Sequence, residues 1–292
     1  MLSTFMVAGV MGLLPPLDLA LILSLRWPLI GVTILIFVAV HWTRGTTTTT
    51  ARQLLGEVLI VVPAYFLYFL VRGLVAGREA QAFHRGIDIM ELEQTLGIFW
   101  EPALQAHILQ IDFVVNLANW AYIWGHWPVI VFAAVWLFML HREQYSVYRN
   151  AFIISGGIGL IIFMTLPVAP PRLMDAWGFV DTVAERSDAY RVLQPPAFVN
   201  QYAAMPSLHF GWNLIVGIAL FRHGGSIALK AIGIALPAIM FASIVLTANH
   251  YIIDGIAGGS LGLIGYFVAL KLNEFTERRS ASTMNLGGVA TP

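Results

Sequence analysis

The sequence contains no cysteine, which excludes disulfides and thiolate metal sites and leaves the redox compartment unread. Charge is scarce as well. Asp, Glu, Lys and Arg make up 11% of the 292 residues, against roughly 25% in an ordinary soluble domain. What charge there is balances to zero, so neither nucleic acid nor a polyanionic partner is indicated. The first 25 residues lack a basic n-region and a small-residue cleavage site, so no cleaved signal peptide is expected. No internal repeat is visible.

Apolar residues are what abounds, at 58% of the chain. They gather into runs that approach or exceed the roughly 20 residues needed to cross a bilayer. Six such runs, 54–75, 113–140, 152–168, 207–221, 231–248 and 252–270, predict an all-α, polytopic membrane helical bundle with a six-helix core. Ahead of them, 2–25 is interrupted by Pro15, Pro16 and Asp18, and 27–42 is short, so the two together read as an accessory hairpin. The polar, β-branched run Thr46 to Thr50 reads as a linker. The expected organisation is an accessory region and linker over 1–53, the core over 54–272 and a flexible cytoplasmic tail over 273–292.

Two connections are too long for turns. Residues 76–112 place apolar side chains such as Phe83, Ile87, Met90 and Leu96 at helical spacing among Arg78, Arg85, Asp88 and Glu93, which predicts an amphipathic helix lying in the interface. Residues 167–206 are polar and proline-rich, and loops of that length are usually functional or disordered. Excess Lys and Arg marks cytoplasmic loops. Arg44, Arg52, Arg142, Arg149, Arg222, Lys230, Lys271, Arg278 and Arg279 fall at one set of helix ends, so both termini are expected inside and the long connections outside.

Against this frame a few polar residues stand out. His209 sits in "AAMPSLHFGW" (203–212), at the mouth of one run, and His250 and Asp254 sit in "TANHYIIDGIAGG" (247–259), at the mouth of another. Arg172 opens the long outer loop, and the expected topology brings all four to one membrane face. Ionisable groups inside spans cost roughly 2.5–3.5 kcal/mol and mark function. His250 and Asp254, four apart, would share a helical face, where the carboxylate accepts from an imidazole N–H and leaves the other nitrogen as nucleophile or base. His209 could serve as the opposing acid. Arg172 offers a planar fork for phosphate oxygens, and Ser207 with the amides after Pro206 offers anion donors at a helix N-terminus. Asn200, Tyr202 and Asn249 are adjacent candidates for headgroup contact, or equally turn residues. The remaining histidines, His41, His84, His107, His126, His141 and His223, read as hydrogen-bonded packing residues.

These motifs, "PPR" at 170–172, "MPSLH" at 205–209 and "HYIID" at 250–254, resemble the type 2 phosphatidic acid phosphatase superfamily and, within it, the inositol phosphorylceramide synthase (aureobasidin-resistance) and sphingomyelin synthase branch. The resemblance covers about residues 54–270. It implies that His250 is the nucleophile, Asp254 its orienting carboxylate and His209 the acid that protonates the leaving group. It also departs from the phosphatase pattern: the first motif is reduced to Arg172, Leu208 stands where a glycine is usual, and Ser243 is followed by Ile244 rather than arginine. Those departures point to a lipid phosphotransferase working through a phosphohistidine. Its partners would be a phospholipid donor and a lipid alcohol or water as acceptor, with no cofactor and no metal, and its site would be extracytoplasmic. Three alternatives stay open: a lipid phosphate phosphatase, an anion transporter, and a metal site built from the two histidines and the aspartate.

Overall fold

The computed structural model describes residues 55–64, 78–186 and 200–287, with side chains as far as 279. The chain divides into two compact units, Met1–Gly77 with Gln194–Asn200, and Arg78–Leu193 with Gln201–Pro292. In the first, the described residues are an apolar helix, α1 (Leu55–Ala64), and Asn200. The accessory hairpin and linker expected over 1–53 lie outside the described residues.

The second unit is built from α2 (Glu79–Leu96), α3 (Glu101–Ile108), α4 (Asp112–Trp124), α5 (Trp127–Leu140), α6 (Arg142–Thr165), the short α7 (Thr182–Arg186), α8 (Leu208–His223), α9 (Ile227–Leu246) and α10 (Ile252–Gly287). No strand occurs among the described residues, only an isolated parallel bridge between Val168 and Ala203. The protein is an all-α, polytopic membrane bundle. Among the described residues three helices are long and apolar enough to cross a bilayer, α6, α9 and α10 as far as Arg279. Only 44, 33 and 50% of their apolar windows are buried within the protein, so much of each faces outward as greasy surface, the pattern lipid tails accept and water does not.

The run 113–140, expected as one span, is instead a pair of helices, α4 and α5, bent by 47°. The sequence explains the break. Gly125 ends α4, His126 takes a non-helical backbone, and Pro128 in the first turn of α5 has no N–H for the Trp124 carbonyl. The run 207–221 forms α8, whose 16 residues reach roughly 24 Å at 1.5 Å per residue. It is the central helix, packed against α5, α6, α9 and α10. The run 252–270 lies in α10, which continues unbroken to Gly287. No Gly or Pro occurs between 266 and 286, and Lys271–Glu274 and Asn273–Glu277 bonds support the extra turns.

Glycines set how closely α8 meets its neighbours. A Cβ on Gly258 of α10 would land on the Ser207 carbonyl, and one on Gly211 of α8 would land on the Gly258 carbonyl. Backbone contact of this kind is the usual device where lipid supplies no hydrophobic drive between helices. Gly258→Leu is therefore expected to force α8 and α10 apart at a cost of about 1–3 kcal/mol or more. Gly157→Leu, which faces open space, should leave the thermal unfolding midpoint in detergent nearly unchanged. Equal losses in the two variants would refute this account of the contact.

The cationic residues Arg142, Arg149, Arg222, Lys230, Lys271, Arg278 and Arg279 all lie toward one end of this bundle, at the start of α6, the end of α8, the start of α9 and the far part of α10. The opposite end carries the end of α6, the starts of α8 and α10 and the end of α9, and there the candidate residues gather.

Candidate active site

The amphipathic helix expected in 76–112 is present as α2, and its buried stripe is Ala82, Gly86, Ile89, Met90 and Glu93. The stripe does more than rest on lipid. Ile89 and Met90 form a core with Val168, Met174, Phe179, Ala204, Ala248 and Tyr251, drawn from the three loops that carry the motifs. Arg78 and Arg85 reach the last carbonyls around α6, Arg78 to Met164 and Arg85 to Thr165 and Pro167, where cations favour a helix C-terminus. Gly86 lets the Tyr251 hydroxyl, which donates to the Ala169 carbonyl at 3.1 Å, approach α2 closely.

The turn that presents His250 closes α9. Thr247 ends the helix, Ala248 adopts a left-handed backbone at φ 55°, and the Asn249 and His250 amides both return to the Ile244 carbonyl. An alanine in that region stores about 1–3 kcal/mol of strain. Neighbouring structure holds it: the Arg172 amide donates to the Ala248 carbonyl at 2.7 Å, which anchors the first motif two residues from His250.

His250 is buried, and its Nδ1 lies 2.7 Å from the Ala204 carbonyl. A carbonyl only accepts, so Nδ1 carries the hydrogen, and in the neutral ring the lone pair is on Nε2. The expected carboxylate partner is farther off, with Asp254 Oδ2 at 3.6 Å from Nδ1. The reason is local. α10 begins at Ile252, so His250 precedes the helix, and Asp254 Oδ2 accepts from the Tyr251 amide at 2.9 Å as an N-terminal cap. Asp254 thus caps the helix start beside the imidazole, while a backbone carbonyl makes the short bond.

His209 comes from the first turn of α8. Its ring centroid is 5.8 Å from that of His250. Tyr122 stacks on it at 4.4 Å and His126 at 4.0 Å, and Asn213 donates to its backbone carbonyl at 2.9 Å. His126, expected as a packing residue, is packed against the His209 ring. It sits at the α4–α5 break and also stacks on Trp212, whose indole N–H donates to Ser155 of α6. The signal in the sequence was "GHWP", a helix-breaking cluster inside an otherwise apolar run.

The other candidates divide. Arg172 is mostly buried, and one arm of its guanidinium pairs with Asp181 at 3.1 Å. Asp181 itself caps α7 through the Ala184 amide. Ser207 is fully buried; its hydroxyl oxygen caps α8 at the Phe210 amide and its own amide donates to the Asp254 carbonyl. Its amide is thus engaged within the fold. Asn249 is turned inward, its side-chain amide donating to Thr247. Tyr202 is partly exposed and meets Phe83 edge-on. Asn200 belongs to the other compact unit. Among the described residues no group of three or more His, Asp or Glu is arranged to hold a metal ion.

Two further carboxylates reach this end. Glu93 of α2 accepts from the Ile253 amide at 2.8 Å, and Glu101 of α3 accepts from the Ile252 amide at 2.9 Å. Sequence reasoning missed both, because charges in an amphipathic segment ordinarily face water.

The family model of the PAP2 superfamily matches residues 87–268, well over half of the chain and all of the histidine site. The chain belongs to the PAP2 superfamily. PAP2 proteins are generally phosphatases or phosphotransferases, and an apolar helical bundle of this kind suits a lipid substrate. The match takes in Glu93, Glu101, His126, Arg172, His209, His250 and Asp254 and leaves out α1 and residues after 268. No curated protein and no solved structure matches the chain.

Proposed function

We propose that this PAP2 protein is an integral-membrane lipid phosphotransferase that moves a phospho-headgroup from a phospholipid to a second lipid alcohol through a phosphohistidine on His250, with its site on the extracytoplasmic face. The observation that carries the reading is the pairing of His250, its Nδ1 hydrogen committed to the Ala204 carbonyl, with His209 arriving from a different helix at 5.8 Å between ring centroids. Nε2 of His250 attacks phosphorus, and the bond from phosphorus to the glycerol oxygen of the donor breaks as the P–N bond forms. His209, protonated, gives its proton to the departing alcohol. The phosphorylated imidazole is cationic, and the Ala204 carbonyl and the Asp254 charge stabilise it. In the second half the acceptor hydroxyl loses its proton to His209 and attacks phosphorus, and the P–N bond breaks. The guanidinium of Arg172 suits the non-bridging phosphate oxygens. Leu208 in place of glycine and the single arginine of the first motif favour transfer over hydrolysis, as in the phosphotransferase branch that the motifs resemble.

The test is turnover of a panel of headgroup-labelled phospholipids by purified protein, with and without added lipid alcohols and with and without EDTA. Product that requires the lipid alcohol and survives EDTA is expected. Release of headgroup phosphate without any lipid acceptor would make the enzyme a phosphatase. Activity lost in EDTA and restored by a divalent metal would overturn the proposed mechanism.

A further inference from the structure

The N-terminus of α10 is held by carboxyl groups from three helices. The Tyr251, Ile252 and Ile253 amides donate in turn to Asp254, Glu101 and Glu93, so three of the amides that a helix start leaves unpaired are all met by acid side chains. All three carboxyl groups are fully buried, and neither Glu93 nor Glu101 pairs with a Lys or Arg among the described residues. A helix N-terminus contributes only about half a positive charge, too little to neutralise three buried anions. The Oε2 atoms of Glu93 and Glu101 are both buried and have no hydrogen-bond partner of good geometry, which is where a proton belongs.

From this arrangement we infer that Glu93 and Glu101 are positioning residues: with Glu93 protonated, the pair clamps α2 and α3 onto the start of α10 and fixes the His250–Asp254 turn against Ala204. The inference rests on the phosphotransfer reading for its kinetic consequence and on geometry alone for its effect on the fold. Groups facing Glu93 are Glu101 from α3 and Asp254 and Tyr251 from the start of α10. Burial first, and then Glu101, push the Glu93 carboxyl up from its ordinary 4.5 to about 9. A carboxyl raised in the folded state stabilises below its unfolded value and loses that contribution as pH rises through the folded value. The clamp is therefore intact at neutral pH and released near pH 9.

Glu93→Gln keeps an acceptor for the Ile253 amide and a donor for Glu101 without the ionisation, whereas Glu93→Ala keeps neither. Two readouts are needed. First, the thermal unfolding midpoint in detergent is followed from pH 6 to 10, with no substrate present. Wild type should lose stability up to about pH 9, and Glu93→Gln should lose markedly less. Second, kcat for lipid phosphotransfer should be near wild type at pH 7 in Glu93→Gln, with its alkaline limb removed. In Glu93→Ala it should fall about 10- to 100-fold, the scale of a misplaced reacting group. A Gln variant that fails to fold, that follows the wild-type pH curve, or that is as slow as the Ala variant would overturn the inference. Absence of any phosphotransfer in wild type would refute the functional reading, and the unfolding curves would still decide the clamp.

Discussion

His250→Ala is expected to lose lipid phosphotransfer by about 10⁴-fold or more, the scale on which removal of a covalent nucleophile is felt, while the protein remains folded. The alternative, that His250 merely packs, predicts a small kinetic change and a stability loss instead. The geometry sharpens the contrast. Nδ1 is held by the Ala204 carbonyl, so the reactive nitrogen is Nε2, and the imidazole makes only one short bond to lose. The check is a quenched reaction with donor labelled at phosphorus: label should remain on wild-type protein in an acid-labile, alkali-stable form and be absent from the variant. Normal turnover by His250→Ala, or label retained on it, would remove the covalent mechanism.

His209→Ala should lower kcat by about 10²–10⁴-fold, the usual contribution of a positioned general acid, but the deficit should depend on the leaving group. A diacylglycerol alkoxide must be protonated as it leaves. A nitrophenolate need not be. With an aryl phosphodiester donor the first-turnover burst of nitrophenol should therefore be nearly as fast in His209→Ala as in wild type, and the steady state that follows should stay slow, because the acceptor hydroxyl still lacks its base. A burst slowed equally for both donors would assign His209 to phosphate binding or structure. Stacking between Tyr122 and His126 holds the His209 ring in one plane, so the substitution removes a pre-oriented group rather than a mobile one.

Much of this protein was written in local sequence. Long apolar runs with few charges mean helices in lipid, since every backbone amide and carbonyl there must be satisfied within its own segment. "MPSLH" and "HYIID" announced themselves because ionisable residues at the mouths of such runs are costly, and the placement of cations grouped them at one end of the bundle. The Gly and Pro of "GHWP" announced the α4–α5 break as well, although the run was read as one helix because its hydropathy continues through it.

What periodicity could not reach was every contact made between distant segments. The acceptor for His250 Nδ1 is the backbone carbonyl of Ala204, 46 residues away, and a carbonyl carries no residue identity that a motif could record. Arg172 meets Asp181 and not the nearer Asp175, because Asp181 is fixed as the cap of α7 while Gln105 and Asn119 hold the flanking loop at Val180 and Thr182. Glu93 and Glu101 lie 160 and 151 residues from the amides that they bind and look in sequence like solvated charges. Local pattern reports which side of a helix is apolar. Whether a charge on that helix meets water or the start of another helix is decided only when the chain folds, because the desolvation cost and its compensating bonds come from residues that sequence distance keeps apart.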